Sequence, residues 1–203
     1  MSRSVKATYT FFVILFSLGT YFLIQSSVRD IGVNLMTPLD DGIPLIPDFV
    51  WIYHSLLPII VLTSVFIVDQ RKNIYTLIAA CVVATVILNV FYIFYPSFYP
   101  RSDYQIALSG LSDHVLYWTR KIDGANNTFP SGHVTFSWLM FWAIKNSLAS
   151  HTIKWLTPTF FIWASLVSFS TLALKQHYIV DVFSGIALAT LTYLMCMKII
   201  QRD

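Results

Sequence analysis

The chain has 203 residues, of which 56% are hydrophobic and only 11% are charged, and its mean hydropathy is +0.66. Soluble domains carry about a quarter charged residues, so this composition excludes an ordinary soluble domain and indicates an integral membrane protein. The formal net charge of +3 is too small, in so apolar a chain, to indicate nucleic acid as a partner.

Six apolar segments follow one another along the chain, each close to the roughly 20 residues that a helix needs to cross a bilayer. They cover residues 9–27, 48–68, 74–95, 131–149, 155–175 and 178–199. The first run lacks an A-x-A-like cleavage site, so we expect a retained helix rather than a signal peptide. Residues 1–203 contain no repeat or interdomain linker. The sequence therefore predicts a single all-α domain, a polytopic membrane bundle with six transmembrane helices.

Two of the connections between these segments are long. Residues 28–47 are turn-rich and acidic, and residues 96–130 contain a short helix predicted over 112–122. We expect the apolar side chains of this helix to rest on the membrane interface, namely Val115, Leu116 and Trp118.

The distribution of Lys and Arg orients the predicted helices. With a cytoplasmic N-terminus the inner side holds eight cations, Arg3, Lys6, Arg71, Lys72, Lys145, Lys154, Lys198 and Arg202. The outer side holds five, Arg29, Arg101, Arg120, Lys121 and Lys175. Because cytoplasmic loops carry the excess of positive charge, we expect both termini in the cytoplasm.

The same topology brings three polar clusters to the outer, periplasmic or lumenal, face. Arg101 follows the third segment, "PSGH" at 130–133 opens the fourth, and "KQHYIVD" at 175–181 joins the fifth to the sixth. In a compact six-helix bundle these clusters are expected to lie close together.

His177 and Asp181 are four residues apart, a spacing that places them on one face of a helix. A carboxylate there can accept a hydrogen bond from one imidazole nitrogen, which fixes the tautomer and leaves the other nitrogen free and more basic. The alternative is that Asp181 only caps the last helix while His177 lies at the membrane interface.

The "PSGH" stretch resembles an anion-binding helix start. Ser131 and Gly132 follow Pro130 at the N-terminus of the fourth segment, where free backbone N–H groups and the helix dipole attract phosphate. Glycine permits close approach, and His133 lies in the first turn beside such an anion. The alternative is a plain helix start with an interfacial histidine.

Arg101 and Lys175 can add positive charge at the same face, and the planar guanidinium of arginine suits two phosphate oxygens. Each also fits an interfacial cation that reaches toward the head groups. We expect His54 to be a hydrogen-bonded packing residue, and Cys81 and Cys196 to be buried thiols. Ligand spacing such as H-x-x-x-H does not occur, so no metal site is predicted.

Together the clusters resemble the signatures of the type 2 phosphatidic acid phosphatase superfamily, K-x6-R-P, P-S-G-H and S-R-x5-H-x3-D. "PSGH" is intact at 130–133, and "STLALKQHYIVD" at 170–181 keeps Ser170, His177 and Asp181 in register. Three positions depart from the pattern: Phe94 replaces the lysine, Ser102 the proline and Thr171 the second arginine.

The departures, with the stretches "IPLIPDFVWIYHSLLP" and "DGANNTFPSGH", resemble the branch that includes inositol phosphorylceramide synthases and, more distantly, sphingomyelin synthases. Members of that branch are phosphotransferases acting on lipids. Water and a sphingolipid hydroxyl both stay open as the acceptor of the phosphoryl group.

The resemblance implies a mechanism without metal or cofactor. It assigns His177 as the nucleophile that forms a phosphohistidine, Asp181 as the group that holds and polarises it, and His133 as the acid that protonates the leaving oxygen. The non-bridging oxygens would be held by Arg101 and the amides of Ser131 and Gly132, with Lys175 standing in for the absent arginine.

Three functions are compatible with these residues. The favoured one is a membrane lipid phosphatase that hydrolyses a lipid phosphate or diphosphate. A lipid phosphotransferase with the same covalent step is the second, and a non-catalytic six-helix scaffold or lipid carrier is the third. The expected partners are the bilayer and a lipid phosphate substrate, while the head group and the oligomeric state stay open.

Overall fold

A computed structural model of the protein describes residues 1–28, 32–101, 104–147 and 152–200. Within these ranges the structure is helical, and the only β-type pairings are two isolated bridges, Val33 with Ser97 and Phe98 with Asn126. The α-helices are α1 (Arg3–Ser27), α2 (Pro38–Asp41), α3 (Val50–His54), α4 (Leu56–Leu62), α5 (Arg71–Phe94), α6 (Leu111–Ile122), α7 (Gly132–Lys145), α8 (Leu156–Ala173) and α9 (Ile179–Ile200).

Five stretches of the described chain are long and apolar enough to cross a membrane, and each coincides with a predicted segment. Four of them are α1, α5, α8 and α9. The fifth, Pro47–Ile67, is built from a 3-10 turn, α3, α4 and a final π-helical turn. Its α-helix is interrupted at Ser55, because Pro58 has no N–H to donate to the carbonyl of His54.

The predicted span over 131–149 is not among the five. The helix found there, α7, has 14 residues and measures about 21 Å at 1.5 Å per residue, shorter than the roughly 30 Å hydrocarbon core of a bilayer. It begins after Ser131, whose hydroxyl accepts a hydrogen bond from the amide of Val134, and its C-cap is Asn146. Residues 148 and 149 of the predicted segment lie outside the described residues.

Helix α7 nevertheless occupies the centre of the bundle, packed against α5, α8 and α9. At one end the Tyr92 hydroxyl of α5 donates to the carbonyl of Pro130 over 2.9 Å. At the other end the Asn73 side chain of α5 donates to the carbonyl of Asn146 over 2.6 Å. Helix α7 therefore runs antiparallel to α5 along nearly the whole of its length.

The short helix predicted over 112–122 is present as α6, but its apolar face is not wholly interfacial. Trp118 is 62% exposed, whereas Leu116 is fully buried against Val50, Tyr53 and Leu174. The expectation for Leu116 is wrong because α6 folds back onto α3 instead of lying free.

One smaller prediction is confirmed and a second is confirmed in part. Cys81 and Cys196 are both buried and unpaired. His54 is hydrogen-bonded as expected, with its Nε2 atom 2.8 Å from the hydroxyl of Thr119 on α6, but its side chain is exposed and not packed in the interior.

Candidate active site

The first turn of α7 is joined directly to the first turns of α9. The amide of Ser131 donates to the carbonyl of Asp181 over 3.1 Å, and the Thr135 hydroxyl lies 3.3 Å from the carbonyl of Gly185. This approach depends on glycine, since a Cβ atom on Gly185 would lie 2.8 Å from the carbonyl oxygen of Ser131 and 3.0 Å from the Cβ of Val134. Two of the three polar clusters are thus brought together.

His177 has two oxygen neighbours at the same ring nitrogen. Its Nδ1 atom lies 2.8 Å from the carbonyl oxygen of Thr128 and 3.4 Å from Oδ2 of Asp181. A carbonyl can only accept, so the proton of the neutral ring is on Nδ1 and the lone pair is on Nε2. The structure therefore places Asp181 beside His177 and adds Thr128, which no sequence pattern indicated.

Asp181 also acts at the start of its own helix. Its Oδ2 atom accepts a hydrogen bond of 2.8 Å from the amide of Tyr178, just before α9 begins. The same oxygen, Oδ2, therefore both caps the start of α9 and lies beside His177, so the two sequence interpretations of Asp181 are compatible. The second oxygen, Oδ1, is buried and has no hydrogen-bond partner among the described residues.

His133 faces His177 with 6.3 Å between the ring centroids and 56° between the ring planes. One face of its ring is covered by Tyr53, at a centroid distance of 3.9 Å and an interplanar angle of 22°. Within the described part of the chain no hydrogen bond reaches either ring nitrogen of His133. Both nitrogens are therefore free to exchange a proton with a bound molecule.

A second carboxylate, which the sequence analysis missed, lies in the wall of the site. The Oδ2 atom of Asp123 accepts a 2.8 Å hydrogen bond from Tyr53, and its Oδ1 atom accepts one from Tyr21. Burial raises the pKa of Asp123, but the charges of His133 and Arg101 and the two tyrosine hydrogen bonds outweigh burial and hold that pKa below its ordinary value. Asp123 is therefore ionised at neutral pH.

Arg101 lies between the loop after α6 and the loop that carries His177. Its Nη1 atom donates to the carbonyl of Asp123 over 2.7 Å, and its Nη2 atom donates to the carbonyl of Gly124 over 2.8 Å and to the side chain of Gln176. Its Nε atom is buried and unpartnered among the described residues. The side chain that precedes His177 is thus tied to Arg101.

Arg120, considered before only as an outer-side cation, is a neighbour of Arg101. Its guanidinium donates to the carbonyls of Tyr104 and Leu174 over 2.7 and 3.1 Å, and its Nε atom is likewise buried without a partner in the described part of the chain. Burial and the charge of Arg101 lower the pKa of Arg120 to about 10. Arg101 and Arg120 are thus neighbouring guanidinium groups beside the loop of His177.

Lys175 is turned toward α2. Its Nζ atom donates to the carbonyl of Asp40 over 2.9 Å and lies 4.6 Å from the ring centroid of Tyr104. A side-chain oxygen of Asp40 also accepts a 2.8 Å hydrogen bond from the amide of Ile179. Lys175 therefore helps to hold the loop of His177 in place.

His133 and His177 open onto one cavity of about 700 Å³. Around them its polar end is lined by Tyr53, Asp123, Asn127 and Gly132, whereas Arg101 and Lys175 lie outside the lining. The rest is largely apolar and includes Val13, Leu18, Phe22, Leu57, Ile60 and Leu88, from α1, α4 and α5. A cavity of this volume can hold a small organic molecule or part of a lipid.

Residues 45–195, about three quarters of the chain, match the model of the PAP2 superfamily. The chain belongs to the PAP2 superfamily. The corresponding comparisons with curated proteins and with solved structures give no match. Proteins of the PAP2 superfamily are generally phosphatase-type enzymes, so membership indicates a phosphatase or phosphotransferase activity. The prediction of the superfamily is confirmed, while the narrower synthase-like branch stays a prediction.

Proposed function

We propose that this PAP2 protein removes phosphate from a lipid phosphate or diphosphate through a phosphohistidine on His177. The observation that carries the proposal is the imidazole of His177 in a cavity that it shares with His133. Its Nδ1 is engaged by Thr128 and Asp181, and its Nε2 has no hydrogen-bond partner among the described residues. An imidazole whose second nitrogen is oriented by a carboxylate is an activated nucleophile.

In the first step the lone pair on Nε2 of His177 attacks phosphorus, and the bond between phosphorus and the lipid oxygen breaks. His133 donates a proton to that oxygen, so the lipid alcohol of a monophosphate, or the lipid monophosphate from a diphosphate, leaves with this oxygen protonated. Asp181 stabilises the positive charge that develops on the His177 ring. In the second step water attacks phosphorus, His133 accepts a proton from the water, and inorganic phosphate leaves with His177 restored.

The non-bridging oxygens are assigned to Arg101 and the first turn of α7. The planar guanidinium of Arg101 suits a phosphate, but both of its Nη atoms already donate to oxygens of the protein and Arg101 lies outside the cavity lining, so its contact with phosphate stays a prediction. Since the amide of Ser131 already donates to Asp181, Gly132, which lines the cavity, is the nearer contact of the two. Electrostatic contacts of this kind supply most of the catalysis in phosphoryl transfer. The role of Lys175 in this set stays a prediction.

A lipid substrate is supported by the apolar part of the cavity. The side chains that extend from the histidines toward α1 and α4 are almost all hydrocarbon. Moving an acyl chain from water into such surroundings contributes about 0.8 kcal/mol for each buried CH₂ group. The polar end, with His133 and Asp123, then faces the head group.

A phosphotransferase related to the inositol phosphorylceramide synthases is the second candidate. Thr171, at the position of the second family arginine, is fully buried, and its hydroxyl donates to the carbonyl of Ser168. This position therefore supplies no positive charge, a departure in common with that branch. Such an enzyme would form the same phosphohistidine and pass the phosphoryl group to a lipid hydroxyl.

We further propose that α7 is a sixth span and that both termini are cytoplasmic. The antiparallel course of α7 beside α5, from Pro130 to Asn146, supports a crossing of most of the same depth. Six alternating spans place the ends of α5 and α8 and the starts of α7 and α9 on the outer face. The eight-to-five distribution of cations favours this orientation.

The test is phosphate release from short-chain lipids by the purified protein in detergent. The panel contains phosphatidate, phosphatidylglycerophosphate, a prenyl diphosphate and a sphingolipid phosphate, each with and without a lipid-alcohol acceptor. We expect release or transfer with at least one donor, loss of turnover in His177→Ala, and wild-type turnover in Asp48→Asn, an exposed outer-face residue. Binding of lipid without turnover in all proteins would favour the scaffold or carrier instead.

A further inference from the structure

The orientation of the His133 ring is set by an aromatic contact. No described residue makes a hydrogen bond to its ring nitrogens, so the ring is held by the near-parallel stack on Tyr53, 3.9 Å away. A proton donor must present one nitrogen to the leaving oxygen within hydrogen-bond reach. The position of Tyr53 therefore fixes the plane in which that nitrogen is presented.

Tyr53 is itself fixed at both ends of its side chain. Its ring is buried in a small cluster with Val50, Leu116 and Leu174. Its hydroxyl donates to Asp123 over 2.8 Å, and the other oxygen of that carboxylate accepts from Tyr21 of α1. A continuous series of contacts thus runs from Tyr21 through Asp123 and Tyr53 to the ring of His133.

The charges around His133 come from three elements. Asp123, in the loop after α6, is the negative group, whereas His177, in the loop before α9, and His54, on α3, disfavour a second positive charge when protonated. A carboxylate nearby and an aromatic face against the ring both stabilise an imidazolium. Asp123 is therefore the one of these charged neighbours that attracts a proton to His133, and Tyr53 carries its influence to the ring through their hydrogen bond.

We infer that Tyr53 and Asp123 are positioning residues that orient His133 for protonation of the leaving group. Neither residue belongs to the three family signatures found in the sequence. The inference rests on the proposed function, because it assigns a task only if His133 is the acid.

The test compares two leaving groups in a single turnover. Dioctanoyl phosphatidate releases an alcohol that needs a proton, whereas p-nitrophenyl phosphate releases a stable anion that needs none. We expect Asp123→Asn to slow release from phosphatidate by about 10-fold or more, part of the 10²–10⁴-fold that general acids typically contribute, and to change release from the aryl phosphate by about twofold at most. Asp48→Asn, a matched charge removal on the exposed outer surface, should change neither rate.

A double-variant cycle separates this role from a general loss of structure. If Asp123 acts through His133, adding Asp123→Asn to a His133→Ala variant should not slow phosphate release from phosphatidate any further. Tyr53→Phe keeps the ring stack and removes only the hydroxyl contact with Asp123. It should also slow release from phosphatidate more than release from the aryl phosphate, by a smaller factor than Asp123→Asn. It replaces Asp123→Asn in the test if that variant does not fold. Equal losses on both substrates, additive losses in the double variant, or no loss would each overturn the inference. A wild-type protein inactive on both substrates, or an active His177→Ala, would instead overturn the proposed function.

Discussion

The amide nitrogen of Ser131 lies 3.1 Å from the backbone carbonyl oxygen of Asp181, and this hydrogen bond ties the N-terminal end of α7 to that of α9. Because His133 follows Ser131 closely and His177 precedes Asp181, the same contact fixes the spacing of the two histidines. The chemistry proposed for the pair depends on this backbone junction as much as on the side chains.

Gly185→Ala should weaken that junction. The added Cβ would meet the carbonyl oxygen of Ser131 at 2.8 Å, and overpacking of this kind typically costs about 1–3 kcal/mol. We expect a lower melting temperature in detergent together with reduced turnover. Gly19→Ala is the matched control, since a Cβ there meets nothing within 4 Å. Equal melting temperatures for the two variants would show that α7 and α9 do not need this close approach.

The stability contributed by Asp123 should depend on pH. Burial raises the pKa of Asp123, but the charges of His133 and Arg101 and the tyrosine hydrogen bonds lower it by more, so the pKa lies below its ordinary value. The stabilisation is therefore present above the unfolded pKa of about 4 and is lost as pH falls through the folded pKa. Asp123→Asn should melt below the wild type at pH 7, with a difference that shrinks below about pH 4. A difference that stays constant from pH 7 to pH 3 would contradict this account.

Arg101→Ala should reduce kcat/KM for a lipid phosphate more than Lys175→Ala. Loss of one donor to a developing oxyanion typically costs about 10²–10³-fold, and Arg101 is tied through Gln176 to the loop of His177. Lys175 donates to Asp40, so its loss should appear mainly as a lower melting temperature. Initial rates and melting curves of both variants distinguish the two effects, and the reverse order of activities would assign the phosphate contact to Lys175.

Most of the helical frame could be predicted from the sequence, because a span leaves a long apolar run that local composition reveals. The exceptions have local causes. Pro58 interrupts the second span at Ser55, and α7 has only 14 residues between its caps. Leu116 was misplaced because an apolar residue on a short helix can face either lipid or protein, and only the packing of α6 on α3 decides which.

The site could be predicted only where its residues form a pattern along the chain. His133, His177 and Asp181 belong to spaced signatures, so they could be singled out together with Ser131 and Gly132. The roles of Tyr53 and Asp123 could not, although both residues lie in the stretches "IPLIPDFVWIYHSLLP" and "DGANNTFPSGH", since they meet His133 only through tertiary packing. Thr128 contributes a backbone carbonyl, which any residue type provides, and so leaves no trace in the sequence.

The proposed orientation can be tested by cysteine labelling. Lys121, exposed at the end of α6, lies on the outer face of the six-span topology, and Lys72, exposed at the start of α5, lies on the inner face. Cysteine substituted at residue 121 should react with an impermeant maleimide added to intact cells, whereas cysteine at residue 72 should react only after permeabilisation. The native Cys81 and Cys196 are buried and should contribute little labelling. The opposite pattern would invert the topology.

The central claim, that His177 becomes phosphorylated, is tested most directly by trapping the intermediate. Rapid alkaline quenching of the protein with radiolabelled dioctanoyl phosphatidate, followed by mass spectrometry of its peptides, identifies the modified residue. The account predicts phosphate on His177 in the presence of EDTA, because the described residues contain no group of His, Cys, Asp and Glu that could hold a metal ion. It also predicts slower labelling in His133→Ala and none in His177→Ala. Three results would contradict the account: phosphate found on another residue, turnover without any detectable phosphoenzyme, or turnover that requires an added divalent ion.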